Sequence, residues 1–511
     1  VFDDIAGDGL ADGAVGDANN PGLAGVPVSI FRDEAAAQTA DSPGEVGQYA
    51  SIAIGSDGNP VVAYGDMSNG DLKVLHCDDP SCSTFSTTVA DSVGSVGQSV
   101  SLAIGADGFP VISHYDWGNL DLKVTKCNNL TCSSRTTNIV DSVGSQGNGS
   151  SIAIGTDGLP IISYFDGTAY DLKVAHCNDA ACGSATITAI DTASTTGAWS
   201  SIAIGSDGLA VVSYRYVPSG DLKVAHCDNV ACTSGTSTTV DTAGDVAGSS
   251  SIAQGSDGFP AVAYFDLTNR DLKFAHCTNL TCTTRNITTV DGPDDVGYNP
   301  SVAIGTDGNP IIAHYDFTNT ALKLTYCDDL DCSSSSSSNP DSAGNVGSDP
   351  SLVLTASGSP VVAYQDQGNY DLKILTAANG APDVGDTFLS TTTTDVNGAY
   401  SFSGLSAGEY LVAVESRAVV ATAGYDTAQT DSWAEQTYGP AGSLCANGSG
   451  GTSTRSTAGA CYGGVAASTS DAFDSTAPDV TAAEHVAGIA AGAAPANFGL
   501  SFNAVTNTLA G

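Results

Sequence analysis

The cysteines are the residues whose spacing most plainly calls for chemistry. Twelve of them form close pairs with four residues between: Cys77 with Cys82, Cys127 with Cys132, Cys177 with Cys182, Cys227 with Cys232, Cys277 with Cys282, and Cys327 with Cys332. A seventh pair, Cys445 with Cys461, is spaced more widely. Thiols this close either ligate a metal or oxidise. Zinc needs four ligands converging on one point, and pairs carried on separate copies of a repeat lie far apart. An even count at fixed spacing therefore predicts disulfides in an oxidising compartment. Each small loop stabilises by about 2 kcal/mol in the chain-entropy model.

Carboxylates are the next candidates. Asp4, Asp8, Gly9 and Asp12 fall in a pattern that resembles an EF-hand-like calcium loop, where carboxylates converge and a glycine allows the turn. Ala6 stands where a further oxygen ligand is expected. Calcium is the one cofactor this chain is expected to take, and an acidic surface turn is the alternative. Asp66, Asp116, Asp166, Asp266, Asp316 and Asp366 recur, each seven residues before a lysine, with Tyr216 breaking the series. A ring of calcium or sugar sites is one reading. An Asp–Lys pair or turn cap in every copy is the favoured one, because a catalytic centre needs a single asymmetric set of groups.

Histidines 76, 176, 226 and 276 precede the first cysteine of their pairs, but Lys126 and Tyr326 fill the same place. That interchange argues against metal ligation. An aromatic column runs through Tyr64, Tyr164, Tyr214, Tyr264 and Tyr364, with His114 and His314 in the other copies. These residues either fill space between copies, the favoured reading, or stack on sugars. Glycan hydrolysis on a sialidase-like plan needs clustered arginines and a Tyr/Glu or paired-carboxylate centre. The repeats offer only Arg135, Arg215, Arg270 and Arg285, mostly at differing places. The chain is expected not to be an enzyme.

The element that positions these residues is a unit of 50 residues, marked by Ser51, Ser101, Ser151, Ser201, Ser251, Ser301 and Ser351. In the first copy Ser51–Ile54 alternates and ends at Ser56-Asp57-Gly58, a hairpin signal. Strands are then expected at Val61–Tyr64, Leu72–Leu75 and Phe85–Val89. Four short strands per copy, without helical periodicity, predict a propeller blade. The seventh copy lacks its cysteine pair and fourth strand. Residues 34–40, just before Asp41, are expected to supply that strand and close the ring, which removes an open sheet edge.

Beyond the repeats, Thr394–Phe402 and Leu405–Val414 resemble the second half of a Cna-B or SdrD B-like domain of bacterial surface proteins. Its first half is similar to Val1–Ile5 and Gly22–Phe31. The resemblance covers about 110 residues and implies a prealbumin-like β-sandwich serving as a stalk or fibre module, with the propeller inserted in one of its loops. The lysine–asparagine crosslink of many such relatives is excluded, because all eight lysines lie in the repeats. The expected organisation is sandwich over 1–33, a seven-bladed propeller over 34–378, and sandwich with a Gly/Ser/Thr-rich disulfide loop over 379–511. Phe498–Val505 is read as a last strand that pairs within its own chain or extends a neighbour's. The chain opens without an initiator methionine and is expected to be a mature or excised segment.

A net charge of −41 excludes nucleic acid as a partner and argues against an anionic membrane surface. No apolar run is long enough to span a bilayer. The sequence therefore reads as an extracellular, all-β structural protein: a subunit of a bacterial cell-surface fibre or filament that self-associates, or a stalk module displaying a propeller. The alternatives are an adhesin or lectin-type module that binds surface glycans through a propeller face, and a glycan hydrolase.

Overall fold

A computed structural model describes residues 36–376 except Ser357, together with the backbone of short strands from Phe2–Asp3 to Gly499–Phe502. The chain divides into two compact units, residues 37–377 and residues 1–36 with 378–511.

The first unit is a seven-bladed propeller. Blade 1 is an antiparallel sheet of Val46–Ile54, Pro60–Asp66, Asp71–Cys77 and Phe85–Asp91. Its second strand is buried along its whole length, so Pro-Val-Val-Ala-Tyr reads as an apolar run rather than an alternation. The outer strand is half-buried or exposed over Phe85–Val89 and buried only at its end, Ala90 and Asp91. Blade 7 joins Val346–Leu354, Pro360–Asp366 and Asp371–Thr376 to Ala36–Asp41, from the other end of the ring. Pairing the two ends leaves no unpaired third strand for another chain to join.

Each innermost strand has one edge that no strand covers. The serine column seals it. Ser51 Oγ accepts the Leu102 amide at 2.9 Å, Ser101 accepts Ile152, Ser151 accepts Ile202, and Ser201 accepts Ile252. Ser251 accepts Val302, Ser301 accepts Leu352, and Ser351 accepts Ile52 at 3.2 Å. These seven bonds close a ring from blade to blade, and each satisfies a backbone donor that would otherwise be orphaned.

A second ring joins blades further out. The outer strand of one blade ends on an aspartate that takes the lysine of the next. Lys73 binds Asp41, Lys123 binds Asp91, Lys223 binds Asp191, Lys273 binds Asp241 and Lys373 binds Asp341. Lys173 reaches Asp141 at 3.2 Å and Lys323 reaches Asp291 at 2.6 Å. In five junctions the buried tyrosine of the aromatic column donates to the same carboxylate, as Tyr264 does to Asp241 at 2.7 Å. Burial and the adjacent carboxylate push these phenols well above their ordinary pKa, so each stays a neutral donor.

Six disulfides join the pairs expected from spacing. Cys77 is bonded to Cys82, Cys127 to Cys132, and Cys177 to Cys182. Cys227 is bonded to Cys232, Cys277 to Cys282, and Cys327 to Cys332. Their Cα separations are 4.7–5.0 Å, and they place the chain in an oxidising environment. The seventh expected pair, Cys445 with Cys461, has no such bond to report. Cys461 lies outside the described residues, and of Cys445 only the backbone, in the strand Leu444–Ala446, is described.

In the other unit, Pro27–Arg32 pairs with Thr387–Thr393 on one side and Glu409–Val414 on the other. Gly499–Phe502 lies between Phe2–Asp3 and Ala434–Gln436.

Candidate ligand-binding face

The strand order gives the propeller two unlike faces. On one, first strands turn into second strands and third strands lead into the disulfide loops. Here His76, His176, His226 and His276 each bond through Nε2 to the aspartate of the first hairpin in their own blade, at 2.8–3.0 Å. Lys126 reaches Asp107 at 2.9 Å. Histidine and lysine interchange because either can serve a carboxylate. The described connections to the rest of the chain leave from this face, since Ala36 begins an outer strand and Thr376 ends a third strand.

The opposite face carries the turns between second and third strands and the connections between blades. The Asp66 column lies here as a turn cap. Asp66 Oδ1 accepts the Asn69 amide at 3.1 Å, and Asp116, Asp166, Asp266, Asp316 and Asp366 do the same for Asn119, Ala169, Asn269, Asn319 and Asn369. Of the fifteen large hydrophobic side chains exposed among the described residues, eleven lie on this face and the other four on outer strands. The disulfide-bearing face has none of them.

Six of the eleven are aromatic: Tyr49, Trp117, Tyr170, Trp199, Phe317 and Tyr370. Several are held from beneath or beside. Trp117 meets Tyr115 edge-on at 5.9 Å, and Tyr170 lies 6.1 Å from Phe165. Phe317 lies 5.7 Å from Tyr298, which packs on Phe265 at 3.9 Å. Arg215 sits 5.4 Å from the Trp199 ring and is itself bound to Asp245. An exposed ring fixed in this way loses little freedom when a ligand covers it.

The backbone beneath these side chains is unusual. Two positions adopt the left-handed conformation, the first in six blades and the second in all seven. At the first, Tyr49, Ser99, Gly149, Trp199, Asn299 and Asp349 have φ of 47–62°. At the second, Gly70, Leu120, Tyr170, Gly220, Arg270, Thr320 and Tyr370 have φ of 52–75°. The second turn aims a carbonyl at the next blade: Tyr370 O accepts the Val46 amide and Tyr170 O accepts the Thr196 amide. Glycine meets the need in some blades, so tyrosine or tryptophan in the others costs roughly 1 kcal/mol each. Strain of this kind collects where a side chain has a task.

Sequence reasoning missed both positions, because nothing in Tyr or Trp announces a positive φ. Aligning the copies would have shown glycine and large aromatics sharing one column. The aromatic column picked from sequence is core, the reading favoured there: Tyr64, Tyr164, Tyr214, Tyr264 and Tyr364 are fully buried. The four arginines do not converge. Arg135 and Arg285 lie on outer strands and bond to backbone carbonyls, while Arg215 and Arg270 pair with Asp245 and Asp295. The calcium candidates Asp4, Asp8 and Asp12 lie outside the described residues.

His114 and His314 replace the junction tyrosine in blades 2 and 6, and threonine comes with them. His114 bonds Thr125 at 3.1 Å and His314 bonds Thr325 at 3.0 Å. Both rings are fully buried. Loss of hydration lowers His114 to about 4, with Asp91 opposing, and lowers His314 to about 3, with Lys323 assisting. A histidine held below its unfolded value of 6.5 contributes stability above pH 6.5, and that contribution is lost as pH falls toward the folded value. Melting temperature should therefore fall between pH 6.5 and 4. A variant carrying His114→Tyr, Thr125→Ala, His314→Tyr and Thr325→Ala, which copies the tyrosine blades, should lose most of that slope. Equal slopes would contradict the assignment.

No protein-family model matches the chain. Solved structures with similar architecture include a protein of unknown function from Dyadobacter fermentans, 9% identical at TM-score 0.43, covering 68% of this chain and 99% of that one. A Hadza microbial sialidase is 11% identical at TM-score 0.38 over 64% and 65%. A GH93 α-L-arabinofuranosidase of Fusarium graminearum is 8% identical at TM-score 0.38 over 55% and 92%. Nothing about activity passes from them to this chain.

Proposed function

We propose that this chain is an extracellular binding module in which the propeller presents its aromatic-bearing face to a ligand. The observation that carries this reading is the one-sided distribution of exposed aromatic side chains, on the face opposite the chain connections. Exposed aromatic side chains gathered on one face support an interaction site there. The rest of the chain serves as the stalk of a bacterial surface assembly on this reading. Its support is the resemblance to Cna-B and SdrD B-like domains and the pairing of Pro27–Arg32 with strands from beyond the propeller. Binding rather than turnover is favoured because the arginines are dispersed and partnered.

A filament built by donating Gly499–Phe502 has less support, since that strand has partners on both sides in its own chain. The test is adsorption of the full chain to cell envelopes. Removing four peripheral aromatics by Trp117→Ala, Tyr170→Gly, Phe317→Ala and Tyr370→Gly should cut adsorption at least tenfold. Unchanged adsorption by that folded variant would refute the reading.

A further inference from the structure

The innermost of these two columns, left-handed in six blades and held by Ser249 in the other, forms an asymmetric ring around the propeller axis. Four consecutive pairs are joined by hydrogen bonds. Ser99 Oγ accepts the Gly149 amide at 3.0 Å, and Ser249 Oγ accepts the Asn299 amide at 3.1 Å. Asp349 accepts the Tyr49 amide and a bond from the Asn299 side chain. The short polar members thus serve the backbone. Tyr49 and Trp199 remain, 39% and 51% exposed, on blades 1 and 4 of a seven-bladed ring and so roughly across the axis from each other.

The chemistry of that mouth narrows its ligand. An anion is disfavoured by the Asp349 carboxylate and by a chain carrying −41. A cation is disfavoured at Trp199, because Arg215 already lies over that ring. What fits is a neutral molecule with an apolar face to lie on an aromatic ring and hydroxyls to bond a carboxylate and an amide. We propose that the axial mouth bounded by Tyr49, Trp199, Asn299 and Asp349 is a subsite for one neutral sugar unit of a glycan. This deepens the binding reading above and rests on it.

Left-handed backbone makes the site unusually easy to test. Glycine suits the backbone at Tyr49 and Trp199 as it does at Gly149, so Tyr49→Gly and Trp199→Gly remove a side chain while relieving strain. The probes are maltohexaose, cellohexaose, mannohexaose and chitohexaose, titrated into the full chain and followed by calorimetry and tryptophan fluorescence. The expected result is saturable binding of at least one probe, weakened at least tenfold by Tyr49→Gly and by Trp199→Gly, with melting temperatures no lower than wild type. Asp349→Asn, which keeps the acceptor for the Tyr49 amide, should weaken binding several-fold. The fluorescence change should persist in Trp117→Phe and vanish in Trp199→Phe.

Binding of a probe that survives both glycine variants but is lost when Trp117→Ala and Phe317→Ala are combined would overturn the axial subsite and leave the binding face standing. Failure of all four probes, with envelope adsorption still sensitive to the peripheral aromatics, would overturn the sugar assignment alone. Saturable binding of tetramethylammonium at the mouth would likewise overturn it in favour of a cation site.

Discussion

A propeller cut to begin at Ser42 should fail to close. A chain spanning residues 36–377 retains Ala36–Asp41 as the outer strand of blade 7, whereas one spanning 42–377 loses it. The loss removes a full set of cross-strand bonds and exposes the edge of Asp371–Thr376. It also removes Asp41, which leaves the Lys73 ammonium and the Tyr64 hydroxyl without their carboxylate. Local stability elsewhere cannot compensate, because closure is the step that rewards the ordering of all seven blades. The longer chain should melt cooperatively as a monomer. The shorter one should melt lower by on the order of 10 °C or more, or aggregate through its open edge. Equal melting curves would show that the ring does not depend on pairing its ends.

The second large effect is expected at the junction between blades 4 and 5. Asp241 and Lys273 are both nearly buried, and Tyr264 donates to the same carboxylate. Burial alone would raise the Asp241 pKa. Bonds from Lys273, the Ala243 amide and Tyr264 outweigh it and hold the carboxyl below its ordinary range. Asp241→Leu should destabilise by about 3 kcal/mol, since it leaves a buried ammonium uncompensated. Asp266, 3.9 Å from Lys273, is too distant to replace it fully. Adding Lys273→Met and Tyr264→Phe should recover most of the loss, because it removes the buried ammonium and hydroxyl that Asp241→Leu leaves without their carboxylate. Urea denaturation of the single and triple variants measures both. A triple variant as unstable as Asp241→Leu would mean the carboxylate acts through something other than this pair.

These two tests mark the boundary of what the sequence makes legible. The blade is legible: the strand order follows from the apolar runs and the Asp57-Gly58 turn, and the closing strand follows from aligning Asp41 with Asp91. The six disulfides of the blades follow from spacing. The nearest partner of most of these lysines does not; Lys173 alone lies closer to its local aspartate, Asp166 at 2.8 Å, than to Asp141 at 3.2 Å. Asp66, seven residues from Lys73, is the local candidate, yet it caps a turn, while the lysine reaches 32 residues back to Asp41. No local spacing encodes a contact made across a blade boundary.

The serine column is equally visible and equally mute, since its acceptor role depends on which inner edge lies beside it. Some coupling between blades can be read with hindsight. Ser113 bonds Ser150, Ser163 bonds Ser200 and Ser213 bonds Ser250, whereas Ala63 packs in one apolar cluster with Val100. Serine faces serine and apolar faces apolar, because a lone buried hydroxyl would lack a partner. The candidate face was the least legible feature. Its aromatics sit in turns, where sequence gives no period, and their left-handed backbone is invisible in the residue names.

The binding face is tested most directly by hydroxyl-radical footprinting of the full chain, free and adsorbed on cell envelopes. The account predicts protection of Trp117, Tyr170, Trp199, Phe317 and Tyr370, with Val89, Ile139, Ile187 and Ile287 on the outer strands labelled equally in both states. Protection confined to the outer strands or to the disulfide loops, with the aromatic face still labelled, would contradict it.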